Sequence, residues 1–443
     1  MAIRTAISFV LTDQPLAWSQ AYNLSLTTSG SLWKITESVN EASNLFSAMA
    51  EASPQDNINE SNFWVGAHRV GSNWVWTDGT IVDPSYFNPN ELNTDSDPSN
   101  DSADVYYGGS LDDPSAPFRD APRGLILEYF GNSITGTNYT DWFTSGGAGP
   151  GKTVRLRGGD DFYVDSSDSF PNTPGGGTVD GGSGNDAILM YSGTGSTALD
   201  GDGQDYLEVY NGQIKASADG DDDVFVAPKV AYETAKQGMF VDGSIVSSSE
   251  IGTDEMRGVF TTSERLLYTG EGADNVIRWD GTKVYTRGGD DRAFVGSENG
   301  GARWVDGGAG NDELTAGHAG GTLIGGTGND TLRLSGWDGA FKVEMTGGAG
   351  VDTFQFGFFE GGQSTKPIIN DFAAKGTVQD ILDLRSYQLE ADSVEDAFAD
   401  GLISISSSKG YTTMEIEGTG YSSDLTLLFK GTLCSDIYDN IWI

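Results

Sequence analysis

The sequence predicts a mainly β chain: an N-terminal α+β region, then a right-handed parallel β-roll, then a short β-rich end. Three observations predict it. A G-G-x-G-x-D-x-apolar unit occurs in full four times, with its aspartates at Asp186, Asp312, Asp330 and Asp352. The G-x-D-x-apolar half occurs again around Asp161, Asp205, Asp222, Asp274 and Asp291, and successive aspartates are separated by 25, 19, 17, 52, 17, 21, 18 and 22 residues. Most separations lie near twice a nine-residue unit, one turn and one short strand on each side of a coil. Residues 1 to about 130 carry no full copy, and there Trp18, Trp33, Trp64, Trp74 and Trp76 accompany helix and strand signals.

Each letter of the unit has a physical task. Glycine tolerates positive φ and close backbone approach, the aspartate supplies a carboxylate, and the apolar residue opens a strand facing a core. Stacked coils bring the aspartates into register, where adjacent loops can share an all-oxygen cage. Such a cage suits a hard divalent cation, Ca2+ before Mg2+, because its ligands are many and flexible. The candidate metal ligands are therefore Asp161, Asp186, Asp205, Asp222, Asp274, Asp291, Asp312, Asp330 and Asp352. Nine residues after each stand Phe170, Gly195, Ile214, Ala231, Lys283, Gly300, Gly321, Gly339 and Gly361, none a carboxylate. Cations are thus expected along mainly one edge of the roll.

Composition narrows the functional classes. The 443 residues hold 25 Lys and Arg against 65 Asp and Glu, a formal charge of −40. Such a surface repels nucleic acid and anionic membranes and resists compaction unless cations neutralise it. The 62 glycines belong to turns, because 37% hydrophobic residues with 10 Trp, 17 Tyr and 21 Phe are too apolar for a disordered acidic chain. Cys434 is the single cysteine, so no intrachain disulfide forms and metal ions and sheet packing must hold the fold. No span of 18 apolar residues exists, and the apolar segment from Ala6 to Leu11 is too short for a signal peptide. Export, with the protein outside the cell or on its surface, would use another signal.

Taken in order, Trp18 to Ala21 opens a helix, Gly30 to Ile35 a strand, and Asn40 to Ala50 a second helix with Leu45, Phe46 and Met49 apolar. Aromatic strands follow at Phe63–Gly66 and Trp74–Gly79. An Asp/Asn/Pro-rich stretch from Asp83 to Asp104 reads as loop. Residues 131–151 read as a glycine linker. Gly146 to Thr153 formally fits G-x-x-x-x-G-K-[ST], but no strand-then-helix context surrounds it, so nucleotide binding is not expected. The roll spans 152–385. Between Asp222 and Asp274 the motif lapses into degraded coils, with an excursion around Ala231 to Gly238. Residues 386–443, with strands near Ile403, Thr413 and Leu425, form a β cap over the open end.

The repeats resemble those of the RTX family of calcium-binding parallel β-rolls, over roughly residues 150 to 385. That resemblance implies calcium-induced folding and a type I secretion signal in the C-terminal tail. Residues 8 to 130 resemble the C-type lectin fold. The matching residues are Trp18 and Ala21, Leu32 and Ile35, Glu41, Trp64-Val65-Gly66, Trp74-x-Trp76-x-Asp78-Gly79 and Leu127-Glu128, in that family's order. Its paired cysteines are absent here. The family's sugar site is a calcium held by an E-P-N or Q-P-D loop and a W-N-D strand. Here Asn88-Pro89-Asn90-Glu91 or Asp97-Pro98-Ser99-Asn100 stands for the first element and Phe118-Arg119-Asp120 for the second. Ser99 and Arg119 depart from the family's ligands. The resemblance makes Asp97, Asn100, Asp104 and Asp120 the candidate carbohydrate-binding residues.

An enzyme is not expected. His68 and His318 are the two histidines, no H-E-x-x-H or Cys/His cluster exists, and paired carboxylates in glycine turns suit metal better than acid–base work. The function the sequence predicts is a secreted, calcium-dependent adhesin or surface-recognition protein binding carbohydrate through its head. Its partners would be calcium ions and a cell-surface glycan or surface protein, with no membrane insertion. The alternative is a structural surface-layer or appendage subunit that self-assembles with calcium.

Overall fold

The computed structural model describes residues 4–12, 16–34, 63–87, 102–105, 111–112, 124–145, 152–165, 177–191, 195–210, 212–232, 235–236, 240–243, 245–248, 252–257, 266–279, 283–295, 304–317, 320–334, 342–357, 366–387, 389–408, 410–418, 424–432 and 434–443. The chain is mainly β, with few helices and large parallel sheets, consistent with the expected β-roll. It divides into two compact units, Met1–Ile214 and Lys215–Ile443. The second helix expected at Asn40 to Ala50 lies outside the described residues.

In the first unit, β1 (Arg4–Leu11) and β7 (Gly124–Phe130) pair antiparallel, Phe9 facing Ile126. Helix α1 (Trp18–Ser25) follows β1, its Ala21 and Ser25 buried, and the backbone N–H of Ala17 donates to the Gln20 side chain at 2.7 Å. Strand β2 (Ser31–Leu32) lies against β7. The hairpin of β3 (Phe63–Val70) and β4 (Asn73–Trp76) turns at Gly71, whose φ of 65° suits a two-residue loop. Strands β5 (Ser102–Val105) and β6 (Leu111–Asp112) extend from β3. Ile7, Phe9, Trp33, Phe63, Val65, Trp76 and Ile126 make the core, and the Trp18 and Trp64 indoles donate to the carbonyls of Val65 and Leu16. Those two bonds let bulky amphipathic rings pack without leaving a donor unmet.

The stacked parallel strands begin earlier than the sequence suggests. Ser133–Thr135 forms β8 and Thr140–Ser145 forms β9, within the span expected to be linker. Strand β9 pairs antiparallel with β1 on one side and parallel with Phe162–Asp165 on the other. Trp142 belongs to the same core as Phe9 and Trp33, so this coil is packed, not tethered. Two stacks of parallel strands follow in this unit. Phe143, Tyr163, Ile188 and Leu207 stand in register in one, and Ile134, Val154, Val179 and Ala198 in the other, all buried. Every second residue faces inward, as the period of a strand requires.

The second unit repeats the plan at greater length. One stack aligns Val276, Ala293, Leu314, Leu332, Phe354, Leu382 and Ile441. The other aligns Val230, Leu267, Val284, Val305, Leu323, Met345, Ile369 and Phe429. The lapse in the motif is occupied by strands Phe240–Gly243, Ile245–Ser248 and Gly252–Arg257, paired antiparallel between parallel neighbours in the first stack. A hairpin insertion therefore occupies 240–257, while of the excursion expected around Ala231 to Gly238, residues 233–234 and 237–239 lie outside the described residues. Asp242 faces Ile245 across a short Gly-Ser connection, which suits a hairpin and not a further coil. At the far end, Ile403–Ser408, Tyr411–Ile416 and Leu425–Lys430 form a meander, and Ile368–Ile369 pairs with its last strand.

Candidate metal centre

The repeat aspartates stand in two columns. In the first unit, the backbone N–H of Asp141 donates to Oδ1 of Asp161, that of Asp161 to Asp186, and that of Asp186 to Asp205, at 2.7–2.8 Å. In the second unit the same bond runs from Asp274 to Asp291, Asp312, Asp330, Asp352 and finally Asp380, at 2.8–3.0 Å. Each carboxylate thus holds the backbone of the turn before it. These side chains are at most 3% exposed.

The other carboxylate oxygen is different. Oδ2 of Asp161, Asp186, Asp291, Asp312, Asp330 and Asp352 is buried without a hydrogen-bond donor. Burial, the largest cause, raises these groups above the ordinary carboxylate range, to about 10 for Asp161, 7 for Asp186, 8 for Asp291, 6 for Asp312, 6 for Asp330 and 7 for Asp352. Neighbouring carboxylates add to the shift, Asp141 on Asp161 and Asp380 on Asp352 among them. A buried acceptor with no donor costs about 1–3 kcal/mol, more when ionised, so each of these oxygens requires a partner.

The glycines make the space. A β-carbon at Gly307, Gly325 or Gly347 would fall 2.2–2.3 Å from Oδ2 of Asp312, Asp330 or Asp352. The Gly347 carbonyl oxygen would lie 2.5 Å from such a carbon at Gly325, and at Gly181 the Asp200 carbonyl and Asp186 Oδ2 converge in the same way. Carboxylate and carbonyl oxygens thus crowd the position a side chain would fill. An all-oxygen donor set with an unmet anionic charge fits a hard cation of the Ca2+ kind. Among the described residues, no three His, Cys, Asp or Glu side chains group to hold a metal by themselves. Any cation here would draw mainly on backbone carbonyls.

Two column members lacked the full sequence signal. Asp141 and Asp380 keep the apolar residue two positions on, Phe143 and Leu382, but Tyr139 and Val378 stand where the repeat has glycine. Asp222 is exposed, and Asp223 is the buried residue, because Phe225 and not Val224 turns inward on the next strand. A second ladder runs alongside on the outside. Asn185 N–H donates to Asp160, Asn311 to Asp290, Asn329 to Asn311 and Val351 to Asn329. Its signal, an Asn or Asp just before the repeat aspartate, is visible in the sequence.

Of the candidate carbohydrate residues, Asp97, Asn100 and Asp120 lie outside the described residues. Asp104 sits on β5 opposite Trp64 and Asp112, with its side chain outside what is described. Thr153 opens a strand, Thr153–Arg155, and not the helix a nucleotide loop needs. His68 lies on β3, its ring 5.1 Å from that of Trp18.

No family model and no curated protein matches the sequence. Solved structures show a likeness over 30% of the chain, two of them as follows. They are the cow C-type carbohydrate-recognition domain of CD23, in the presence of GlcNAc2Man3 oligosaccharide (19% identity, 92% of that chain, TM-score 0.23), and human lithostathine (16% identity, 88% of that chain, TM-score 0.22). At these scores the likeness supports no argument about function.

Proposed function

We propose that the chain is a calcium-dependent recognition protein, an adhesin of the cell surface or extracellular space, whose RTX-like β-roll is folded by calcium. One observation carries the calcium reading: among the described residues, Oδ2 of six repeat aspartates, Asp161, Asp186, Asp291, Asp312, Asp330 and Asp352, is buried with no donor. Where calcium is scarce, repulsion along the columns disfavours the roll. Where it is plentiful, binding free energy becomes folding free energy, about 2.7 kcal/mol per independent site at a hundredfold excess over Kd. The carbohydrate reading rests on the residues of the first unit that follow the order of C-type lectins. Among them, Trp64, Trp76 and Leu127 are buried on adjoining strands of one sheet. Asp97, Asn100, Asp104 and Asp120 are the residues proposed to meet the sugar. Export by a type I signal in the tail, and a role without catalysis, complete the reading.

A calcium titration of the full chain by circular dichroism, with a glycan array on saturated and chelated samples, tests it. Cooperative gain of β signal with calcium-dependent glycan binding is the expected result. Folding with ordered self-assembly and no glycan bound would favour the surface-layer alternative. A β signal indifferent to chelator would overturn the calcium reading.

A further inference from the structure

The rungs of the second unit's column differ in how Oδ2 is met. At Asp291, Asp312, Asp330 and Asp352 it has no donor. At Asp274 the buried hydroxyl of Thr269 donates to it. At Asp380 the backbone N–H of Ala373 donates to Oδ2 at 2.6 Å while Asp352 N–H serves Oδ1 at 3.0 Å. The open rungs are therefore consecutive and are bounded at both ends by rungs the protein closes itself. In the first unit Thr137 likewise donates its N–H and its hydroxyl to Oδ2 of Asp141, at 2.7 and 2.8 Å, but there Oδ1 is the oxygen left without a donor, so that rung is not closed.

We infer that Asp274 holds no cation and that, within the second unit, cations are confined to the rungs from Asp291 to Asp352, the Thr269 hydroxyl standing in for the ion. This rests on the calcium reading above. Thr269 occupies the first position of its turn, where Gly307, Gly325 and Gly347 leave the space around Oδ2. A donated hydroxyl proton meets the lone pair that a cation would need, and the threonine side chain fills the room its other ligands would take. Residue type alone does not decide the matter. Thr286 holds the equivalent position before Asp291 and lies close enough to favour that carboxylate, yet its hydroxyl donates to the Gly307 carbonyl at 3.0 Å and makes no hydrogen bond of proper geometry to Asp291 Oδ2, which stays without a donor. Confinement between closed ends places every ion-bearing turn of the second unit between two formed neighbours, so that each cage there is complete on both sides.

One substitution reverses the device. Residues 269–274 read T-G-E-G-A-D, and Thr269→Gly turns them into a fifth full G-G-x-G-x-D copy. The experiment counts calcium bound per full-length chain by equilibrium dialysis with elemental analysis, for the wild type, T269G, T269S, D274N and D330N. T269G is expected to bind one more ion than the wild type, while T269S and D274N match it and D330N loses at least one. An unchanged count in T269G, or a loss in D274N equal to that in D330N, would overturn the inference while leaving calcium binding intact. D274N keeps the test alive should T269G not fold. A wild type that binds no calcium would overturn the calcium reading itself and this inference with it.

Discussion

The backbone N–H of Asp312 donates to Oδ1 of Asp330 at 2.9 Å, and the second oxygen of that same carboxylate is buried with no donor at all. One side chain therefore joins two turns through one atom and carries an unmet charge on the other. On the calcium reading proposed above, the balance between those two atoms is expected to set how the stacked strands respond to calcium, pH and substitution.

Asp330→Asn should act with opposite signs in the two states. The amide keeps the Oδ1 acceptor and removes the buried charge, so in chelator near pH 7.5 the variant is more stable than the wild type. The group rises from 3.8 to about 6 on burial, which corresponds to roughly 2–3 kcal/mol. In saturating calcium the variant is less stable and its calcium midpoint is higher. Thermal melts in the two buffers check both signs, and destabilisation in chelator as well would count against the charge account.

The pH dependence follows from the same groups. Their folded values, from about 6 to about 10, lie above the ordinary carboxylate value, so between about pH 4 and each raised value the folded chain binds more protons than the unfolded one. Stability without calcium should therefore fall as pH rises from 5 to 8. Calcium should flatten or invert that slope. Chemical denaturation at pH 5, 6.5 and 8, with and without chelator, measures it; rising stability with pH in chelator would refute it.

Gly326 has φ of +116°, and a β-carbon there would come within 2.0 Å of the Gly308 carbonyl oxygen in the preceding turn. Gly410 has φ of +83° but nothing within 4 Å of the equivalent atom. Gly326→Ala should thus cost more than about 3 kcal/mol, since strain and a backbone clash add. Gly410→Ala should cost about 1 kcal/mol from the left-handed conformation alone. Comparable losses in the two melts would mean that stacking distance between turns is not the constraint.

Trp76 is 2% exposed in the core of the first unit, facing Ala67 across the hairpin. Trp76→Ala should remove about 3–5 kcal/mol from that unit. Calcium-induced β signal from the second unit's rungs should survive, because the residues of this core all belong to the first unit. Limited proteolysis with mass spectrometry, read in calcium, locates the loosened segment.

Much of this was legible from local chemistry. The four full motif copies placed the strands after Asp186, Asp312, Asp330 and Asp352, because glycine turns and an apolar residue two positions past each aspartate set the strand period. The aspartates themselves fell on the buried column for the same reason. Asp141 and Asp380 were not legible, since their turns lack the glycine and only the stacking of neighbouring strands puts them in line. The strands at Ser133–Thr135 and Thr140–Ser145 were hidden by the glycine run that follows them, and Trp142 declared itself only by packing against Phe9's sheet.

The sequence by itself determined that this chain is a repeat of turns and strands bearing one carboxylate per coil, and that it is too acidic to close those turns by attraction among its own side chains. Tertiary structure decided which oxygen of each carboxylate is met, that Asp223 and not Asp222 is buried, and that Thr269 closes its rung while Thr286 leaves its own open. The reason is where the partners come from. Glycine, aspartate and the apolar residue act within six or eight residues, whereas in the second unit the donor for each Oδ1 comes from a turn 17 to 28 residues away, and the Thr at the head of a turn has a hydroxyl that can choose between two acceptors. Only the stacked turns settle that choice.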